Sequence, residues 1–152
     1  MTLNYFTKGT ELTGRIITRL TEAQDQLGLA GGVYWGLETL VPTYPAVLVA
    51  SDPKDRDLAT GGTHRWQVIL RCSIVIVHQE IQSSVLTRQE TEEQAEMVED
   101  FLHQDFYLKD VDGTPRVIFG MVTRSEPGQM RLASIMTQAT RLRYEALSRQ
   151  EF

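Results

Sequence analysis

The most constraining feature of the sequence is a long run, His64–Gln79, in which alternate side chains are apolar. Successive side chains of a β-strand point to opposite faces, so this run predicts one strand with a buried face. At about 3.3 Å per residue it would extend roughly 50 Å, whereas typical strands have about five or six residues. Val75 and Val77 make the second half apolar on its other face too, so we expect that half to be covered on both sides. The predicted core face carries Trp66, Val68, Leu70, Cys72, Ile74 and Ile76.

A second long alternation, Met130–Tyr144, predicts another extended strand. Arg116–Thr123 predicts the strand before it, and the sequence Ser-Glu-Pro-Gly-Gln at 125–129 is typical of a hairpin connection between the two. An alternative is that the long strand breaks into two shorter ones, at Ser134 or Gln138.

A compact apolar run, Pro45–Ser51, predicts a shorter strand because turn residues bound it. The polar stretch after it, Asp52–Thr63, is interpreted as a long projecting loop, and loops of that length are often functional. Upstream, Val33–Trp35 lies in an irregular connection that could hold a short strand.

Two segments have the apolar spacing of three and four residues that indicates amphipathic helices. The first, Glu11–Leu27, has Thr10 as a candidate N-cap and Gly28 as a stop. The second, Thr87–Gln104, begins with a capping box in which Thr87 precedes Glu90 by three residues. The predicted buried stripe of the second helix is Ala95, Val98, Phe101 and Leu102.

The predicted fold is therefore α+β, in the order α-β-β-α-β-β, with one mostly antiparallel sheet of long strands and both helices packed on one face. A chain of 152 residues favours one domain, here 1–152, with residues 146–152 expected to fray at the end. A domain of this size buries enough surface to fold without a disulfide or a metal.

Composition excludes several functional classes. The net charge of −5 opposes strong non-specific binding to nucleic acid, which depends on Lys and Arg contacts to phosphates. The one cysteine, Cys72, can form neither an internal disulfide nor a multi-thiolate zinc site, which indicates the cytosol. No apolar run approaches the ~20 residues of a membrane span, and the first residues lack a secretion-signal pattern.

No catalytic, cofactor-binding or metal-binding constellation is evident, so we expect a protein that is not an enzyme and has no cofactor. His64, His78 and His103 share no metal-ligand spacing and are interpreted as structural. The pairs Gly31-Gly32 and Gly61-Gly62 lack the lysine and hydroxyl residue of a phosphate-binding loop. The acidic face of the second helix, with Glu92, Glu96 and Glu99, is more typical of a solvated surface than of a general acid–base pair.

The element order and the strand Tyr-Pro-Ala-Val-Leu-Val at 44–49 resemble the tail terminator proteins of long-tailed bacteriophages, also called tail completion or head–tail joining proteins. The resemblance covers most of the chain and lies in architecture rather than in a motif. Its carriers are the helix Glu11–Leu27, the strands Tyr44–Val49 and His64–Gln79, the helix Thr87–Gln104 and the hairpin Arg116–Tyr144.

The resemblance implies a structural virion protein that assembles in the host cytoplasm. Such proteins form a homo-oligomeric ring, usually a hexamer, that caps the tail tube, stops its elongation and offers a surface to the head-completion or neck protein. DNA only passes through the lumen, and no membrane is involved. Two placements are hypotheses. The candidate interaction loop contains Asp52, Lys54, Asp55, Arg56 and Asp57, and the acidic face with Glu92, Glu96 and Glu99 lies on the lumen or on another surface.

Two other functional classes remain open at this point. A small-ligand-binding or enzymatic α+β domain would use Tyr34, Trp35 and Trp66 to line a pocket. A nucleic-acid-binding sheet would stack bases on exposed aromatic residues, although the net charge counts against it.

Overall fold

The computed structural model describes residues 5–37, 41–58, 65–83 and 85–151, which form two helices and five strands in a single sheet. The sheet order is β1-β2-β3-β5-β4, in which β1 and β2 are parallel and all other neighbours are antiparallel. The elements are α1 (Gly9–Glu22), β1 (Gly32–Trp35), β2 (Ala46–Leu58), β3 (Arg65–Glu80), α2 (Arg88–Leu102), β4 (Phe119–Leu132) and β5 (Ile135–Glu151). The α+β class is confirmed, whereas the expected order is only partly right because β1 is a strand of its own.

Both helices pack on one face of the sheet, as the sequence predicts. Leu12, Ile16 and Leu20 of α1 and Ala95, Val98 and Leu102 of α2 belong to one core cluster with the even-numbered side chains of β3. The core positions Val68, Leu70, Cys72, Ile74 and Ile76 are all completely buried. Burial of one strand face beneath two amphipathic helices is the main source of hydrophobic stabilisation here.

Among the described residues, a second core cluster covers one half of the other face of the sheet. Leu48, Val75 and Val77 form a smaller cluster with Leu132 and Ala139. Partly buried side chains of β1 and of the connection after it pack on this cluster, including Tyr34 and Leu37. The prediction that the second half of β3 is covered on both sides is therefore confirmed, and the covering groups come from segments far away in the chain.

The predicted loop Asp52–Thr63 is wrong over its first half, because β2 continues to Leu58. Residues 55–58 pair with 66–69 of β3 after a bulge between Asp52 and Asp55. The polar composition of this segment suggested a loop, but a long partner strand supplies the backbone hydrogen bonds for an extension. Residues 59–63 of the predicted loop and His64, the first residue of the predicted strand, lie outside the described part of the chain.

The predicted hairpin connection at 125–129 is also wrong. Pro127 and Gly128 lie inside β4, opposite Thr140 and Ala139 of β5, and the turn falls at Ala133 and Ser134. Ala133 has a positive φ of 55°, as a tight connection between twisted strands often requires. Proline is tolerated because β4 is an edge strand of the sheet. Ser134 therefore lies at the boundary between two strands, as the alternative interpretation of two shorter strands predicted.

Residues 146–151 lie in β5, whereas residues 146–152 were expected to fray. β5 continues to Glu151 and pairs with β3 from Thr137 to Glu151. Ser148 is completely buried, and its hydroxyl donates a hydrogen bond to the carbonyl of Phe6. The first and last described segments of the chain therefore hold each other in place.

The helix boundaries differ from the predicted ones by a few residues. The N-cap of α1 is Lys8 rather than Thr10, and the helix ends at Glu22. Thr87 is the N-cap of α2 as predicted, and its hydroxyl oxygen accepts a hydrogen bond from the Glu90 backbone N–H. Phe101 is only partly buried, while the other three residues of the predicted stripe are buried.

Candidate functional site

The outer half of the β4–β5 hairpin is the part of the described sheet least used by its own chain. We call residues 124–143 the distal hairpin. Seven consecutive residues of β4, 123–129, are exposed, so neither face of this stretch is covered. A strand with one face in the core and the other in solvent shows alternating burial, as the first half of β3 does. This stretch of β4 therefore offers an edge and two faces to a partner, whereas the β5 side of the distal hairpin is partly buried in the core.

Arginine residues concentrate on one face of the distal hairpin, the face opposite the helices. Arg124 and Arg143 are directly paired in the β4–β5 register, and Arg141 lies two residues from Arg143 on the same face. Like charges directly opposite each other in an antiparallel pair are destabilising. Glu126, opposite Arg141, binds Arg124 with an Nε–Oε1 distance of 2.5 Å. Arg143 has no ion-pair partner among the described residues, so this cluster has unneutralised positive charge.

The predicted interaction residues lie in the second half of β2, residues 52–58. Their described side chains bind other residues of the same chain. Asp52 accepts a 2.6 Å hydrogen bond from the Ser73 hydroxyl, and Lys54 Nζ donates to the Thr7 carbonyl at 3.0 Å. Asp55 is 2.5 Å from Arg71, and this hydrogen bond is the main reason why the pKa of Arg71 is raised. Arg56 and Asp57 pair with β3 through their backbones, and their side chains lie outside the described part.

The outer face of α2 is acidic and exposed. Glu92 and Glu96 are exposed and Glu99 is partly exposed, and the one ion pair of α2 among the described residues joins Arg88 Nε to Glu92 Oε1 at 3.2 Å within the helix. Six of the chain's 20 acids but one of its 15 Lys and Arg residues lie in α2. The helix thus has a formal charge of −5, equal to that of the whole chain, and the remainder is formally neutral.

Met97 lies in the middle of this acidic face and is 48% exposed. Glu93 precedes it by four residues and Asp100 follows it by three, so both carboxylates neighbour it on the helix surface. An exposed apolar side chain surrounded by charges is a common arrangement at the centre of a contact surface.

A cleft of about 500 Å³ lies between the start of β2, the end of β3 and α2. Tyr44, His78, Glu80 and Gln94 are among its lining residues. His78 is buried, with Nδ1 2.7 Å from Gln94 Oε1 and Nε2 2.8 Å from Thr140 Oγ1. Burial lowers the pKa of His78, and both ring nitrogens are used within the fold. The interpretation of His78 as structural is consistent with these contacts.

The other described histidine is also engaged in the fold. His103 Nε2 accepts a 3.0 Å hydrogen bond from the Val122 backbone N–H, and the carbonyl of Phe106 accepts one from Gly120 at 2.7 Å. These two contacts cover the edge of β4 at its first residues, and the edge beyond them belongs to the distal hairpin.

The aromatic pocket expected from Tyr34, Trp35 and Trp66 is not formed by the two described side chains. Tyr34 packs on the second face of the sheet and donates a hydrogen bond to the Gly31 carbonyl at 2.6 Å. Trp35 is the next residue along β1, so it points to the helix side, where it is 51% exposed. The side chain of Trp66 lies outside the described part.

Sequence reasoning missed an aromatic cluster at the start of β4. Phe119 stacks on Phe106 with 4.9 Å between ring centroids, and Tyr107 meets Phe119 edge to face at 6.5 Å. Met121 follows on the same side of β4. Phe119, Met121 and Tyr107 are 37–45% exposed, so the cluster adds apolar surface next to the distal hairpin. The sequence signal, a Phe-Tyr pair after α2 and an alternating Phe and Met, is too common to be specific.

Within the described ranges no three or more His, Cys, Asp and Glu side chains are grouped so that they could hold a metal ion. Cys72 is completely buried, and burial raises the pKa of its thiol. None of the helices in the described ranges has the length and apolar character needed to cross a bilayer.

Comparison with known proteins gives no match, either to a protein-family model or to a curated protein. The functional interpretation therefore rests on the fold, its surfaces and the architectural resemblance.

Proposed function

We propose that this chain is a structural subunit that assembles into a closed ring, and that the ring caps the tail tube of a long-tailed bacteriophage. In this role it stops addition of tube subunits and provides the surface that joins the tail to the head-completion or neck protein. DNA passes through the lumen of the ring. The observation that carries the proposal is the exposed stretch 123–129 of the edge strand β4, which is uncovered on both faces and leads into the distal hairpin.

An exposed edge strand in a soluble protein invites pairing or packing with another chain. Natural proteins block such edges unless the edge has a use, and proline and charged residues are typical blocking devices. β4 has Pro127, Arg124 and Glu126 along this stretch, which favours a partner that contacts the side chains over one that extends the sheet. A ring of identical subunits satisfies this requirement, since a head-to-tail contact closes when the rotation per subunit is right.

The surface that would meet the tube or the neck is placed at the far end of β2 and β3. There β2, β3 and β5 run together past the start of β4, because Arg65 pairs with Glu151 while Phe119 pairs with Leu147. This end includes the predicted interaction residues Arg56 and Asp57. Replacing the β2–β3 connection by a short turn should therefore leave the ring intact and abolish attachment to tubes or to the neck.

The direct test of the function is the mass of the purified protein in solution, alone and with tail tubes. A closed ring has a fixed multiple of the 17.3 kDa chain mass that does not grow with concentration, six chains for a hexamer. Electron microscopy should then show a ring at one end of the tubes and tubes of limited length. A chain that stays monomeric in the presence of tubes contradicts the proposal.

A second proposal, a small-ligand-binding domain, is carried by the cleft beside His78. Its volume is within the range of ligand pockets, about 300–1,000 Å³. Tyr44 donates a hydrogen bond to Glu80 at 3.2 Å across this cleft, so these two polar groups would orient a ligand. Two results together would favour this proposal over the ring. A small molecule should raise the Tm of the wild type but not that of Tyr44→Phe, and the chain should be monomeric at all concentrations.

A further inference from the structure

We propose that the arginine cluster of the distal hairpin in one copy binds the acidic outer face of α2 in the next copy. The arginine cluster is Arg124, Arg141 and Arg143, and the acidic face is Glu92, Glu93, Glu96, Glu99 and Asp100 around Met97. This inference rests on the ring assembly proposed above and names the contact that builds it. It places the acidic face between subunits rather than on the lumen.

The first argument is the separation of charge within one chain. The distal hairpin has four Arg residues and one Glu, a formal charge of +3, whereas α2 has −5. No ion pair between the two is present among the described residues, although both surfaces are exposed. Complementary surfaces of this kind steer association and fix the orientation of the partner.

The second argument is the electrostatic conflict inside the hairpin. Arg124 and Arg143 face each other in register, and Glu126 is the one carboxylate in the distal hairpin. Arg141 is already engaged, donating to the Ser73 hydroxyl at 2.7 Å and lying 3.8 Å from Asp52. Carboxylates from a neighbouring α2 would relieve the repulsion, and guanidinium groups bind carboxylates with two parallel hydrogen bonds.

The third argument is that the two surfaces differ. The arginine cluster lies on the sheet face opposite the helices, so a copy bound through its cluster still presents its own α2, and repetition of this head-to-tail contact generates a ring or a filament. A single exposed ion pair contributes little, so the contact needs several pairs together and an apolar centre. Met97 provides that centre on the α2 side.

The experiment reverses two charged side chains on each surface separately. One variant combines Glu92→Lys and Glu96→Lys, and the other combines Arg124→Glu and Arg143→Glu. The control combines Glu22→Lys and Asp25→Lys, two exposed acids at the end of α1 and just after it, with the same change in net charge as the first variant. Circular dichroism and thermal unfolding check that every variant folds, and Arg143→Gln alone is the milder substitute if the second variant does not.

Assembly is measured by sedimentation velocity as a function of protein and salt concentration. Each reversed variant should need at least about tenfold more protein than the wild type to assemble, whereas the control should behave as the wild type. Mixing the two variants in equal amounts should restore rings, because half of the contacts then keep both wild-type surfaces and in the other half the new Lys side chains of α2 meet the new Glu side chains of the hairpin. Salt at 1 M, where the Debye length is about 3 Å, should weaken the wild-type ring.

The possible outcomes distinguish the proposed contact between copies from the proposed ring function. Wild-type rings together with normal assembly of both reversed variants would overturn the contact and leave the ring proposal standing, as expected if the acidic face lines the lumen. Failure of the mixture to restore assembly would also overturn it. Loss of DNA binding by the Arg124→Glu, Arg143→Glu variant with normal assembly would assign the cluster to nucleic acid instead. A wild-type chain that is monomeric even with tubes overturns both proposals.

Discussion

Gly120 of β4 is predicted to be a position where one added methyl group destabilises the fold. A Cβ placed there would lie 3.0 Å from both Cε1 and Cζ of Tyr144, and nearer still to its hydroxyl oxygen. Tyr144 is completely buried between the sheet and the helices, so its ring has no room to move away. Overpacking of this kind costs about 1–3 kcal/mol, and Gly120→Ala should lower the free energy of unfolding by that amount.

The same strand contains a matched control. A Cβ at Gly128 would meet nothing within 4 Å, and its φ lies outside the left-handed range. Gly128→Ala should therefore leave stability unchanged or raise it by up to about 1 kcal/mol, since alanine reduces the conformational freedom of the unfolded chain. For a chain of this length, the loss at Gly120 corresponds to a fall in Tm of roughly 2–12 °C.

The partner of the clash can be tested in a double-mutant cycle with Tyr144→Phe. The Tyr144 hydroxyl is buried with no hydrogen-bond partner among the described residues, and burial raises its pKa. Removing it should therefore cost little or increase stability by about 1 kcal/mol. Gly120→Ala should be less costly in the Tyr144→Phe background, because the nearest atom is gone.

Urea unfolding of the four variants at one protein concentration, with equal m values, measures these differences. A constant concentration matters because self-association raises apparent stability. The steric reasoning is refuted if Gly120→Ala has the same urea midpoint as the wild type. It is also refuted if Gly120→Ala lowers the free energy of unfolding as much in the Tyr144→Phe background as in the wild-type background.

Three further predictions concern the connection to α2 and the buried histidine. Gln79 is buried, and its side-chain amide makes four hydrogen bonds, with Val85, Leu86 and Gln138. Gln79→Leu should therefore reduce the free energy of unfolding by roughly 2–4 kcal/mol. Gln79→Glu should also be destabilising, because its buried carboxylate keeps the two bonds from backbone N–H groups but faces the Leu86 carbonyl and Gln138 Oε1. Thr87→Ala should cost about 1 kcal/mol through loss of the α2 N-cap, whereas Thr87→Ser should cost little. The folded pKa of His78 is lowered by burial, so the unfolded chain binds the extra proton, and stability should fall as the pH drops below the unfolded value of about 6.5. A pH titration of urea stability in wild type and His78→Gln tests the last point, and equal slopes below pH 6.5 would contradict it.

The elements that sequence alone could predict are those whose signal is local. The alternation over His64–Gln79 predicted β3 to within one residue at each end, because the pattern of apolar side chains follows directly from which face meets the core. The start of α2 was predictable for the same reason, since the Thr87 hydroxyl oxygen accepts a hydrogen bond from the Glu90 backbone N–H within one helical turn. The exposed acidic face of α2 also followed from spacing alone, since a helix fixes which residues share a side.

The remaining features depend on contacts between distant segments. Asp52–Leu58 looks like a polar loop, yet it is a strand because β3 is long enough to pair with it and Arg71 binds Asp55. Pro127 and Gly128 look like a turn, but the register set by β5 places the turn at Ala133. Both outcomes depend on the free energy of pairing summed over whole strands, and a local sequence pattern carries no information about that sum.

The same division applies to the candidate site. Sequence determined that the chain has an acidic helix, alternating strands long enough to exceed one small core and no evident catalytic motif. Only the tertiary structure decided that Arg124 and Arg143 face each other and that residues 123–129 are left uncovered. The physical reason is that register and sheet order join residues far apart in the chain, and these long-range pairings determine which surfaces remain for a neighbour.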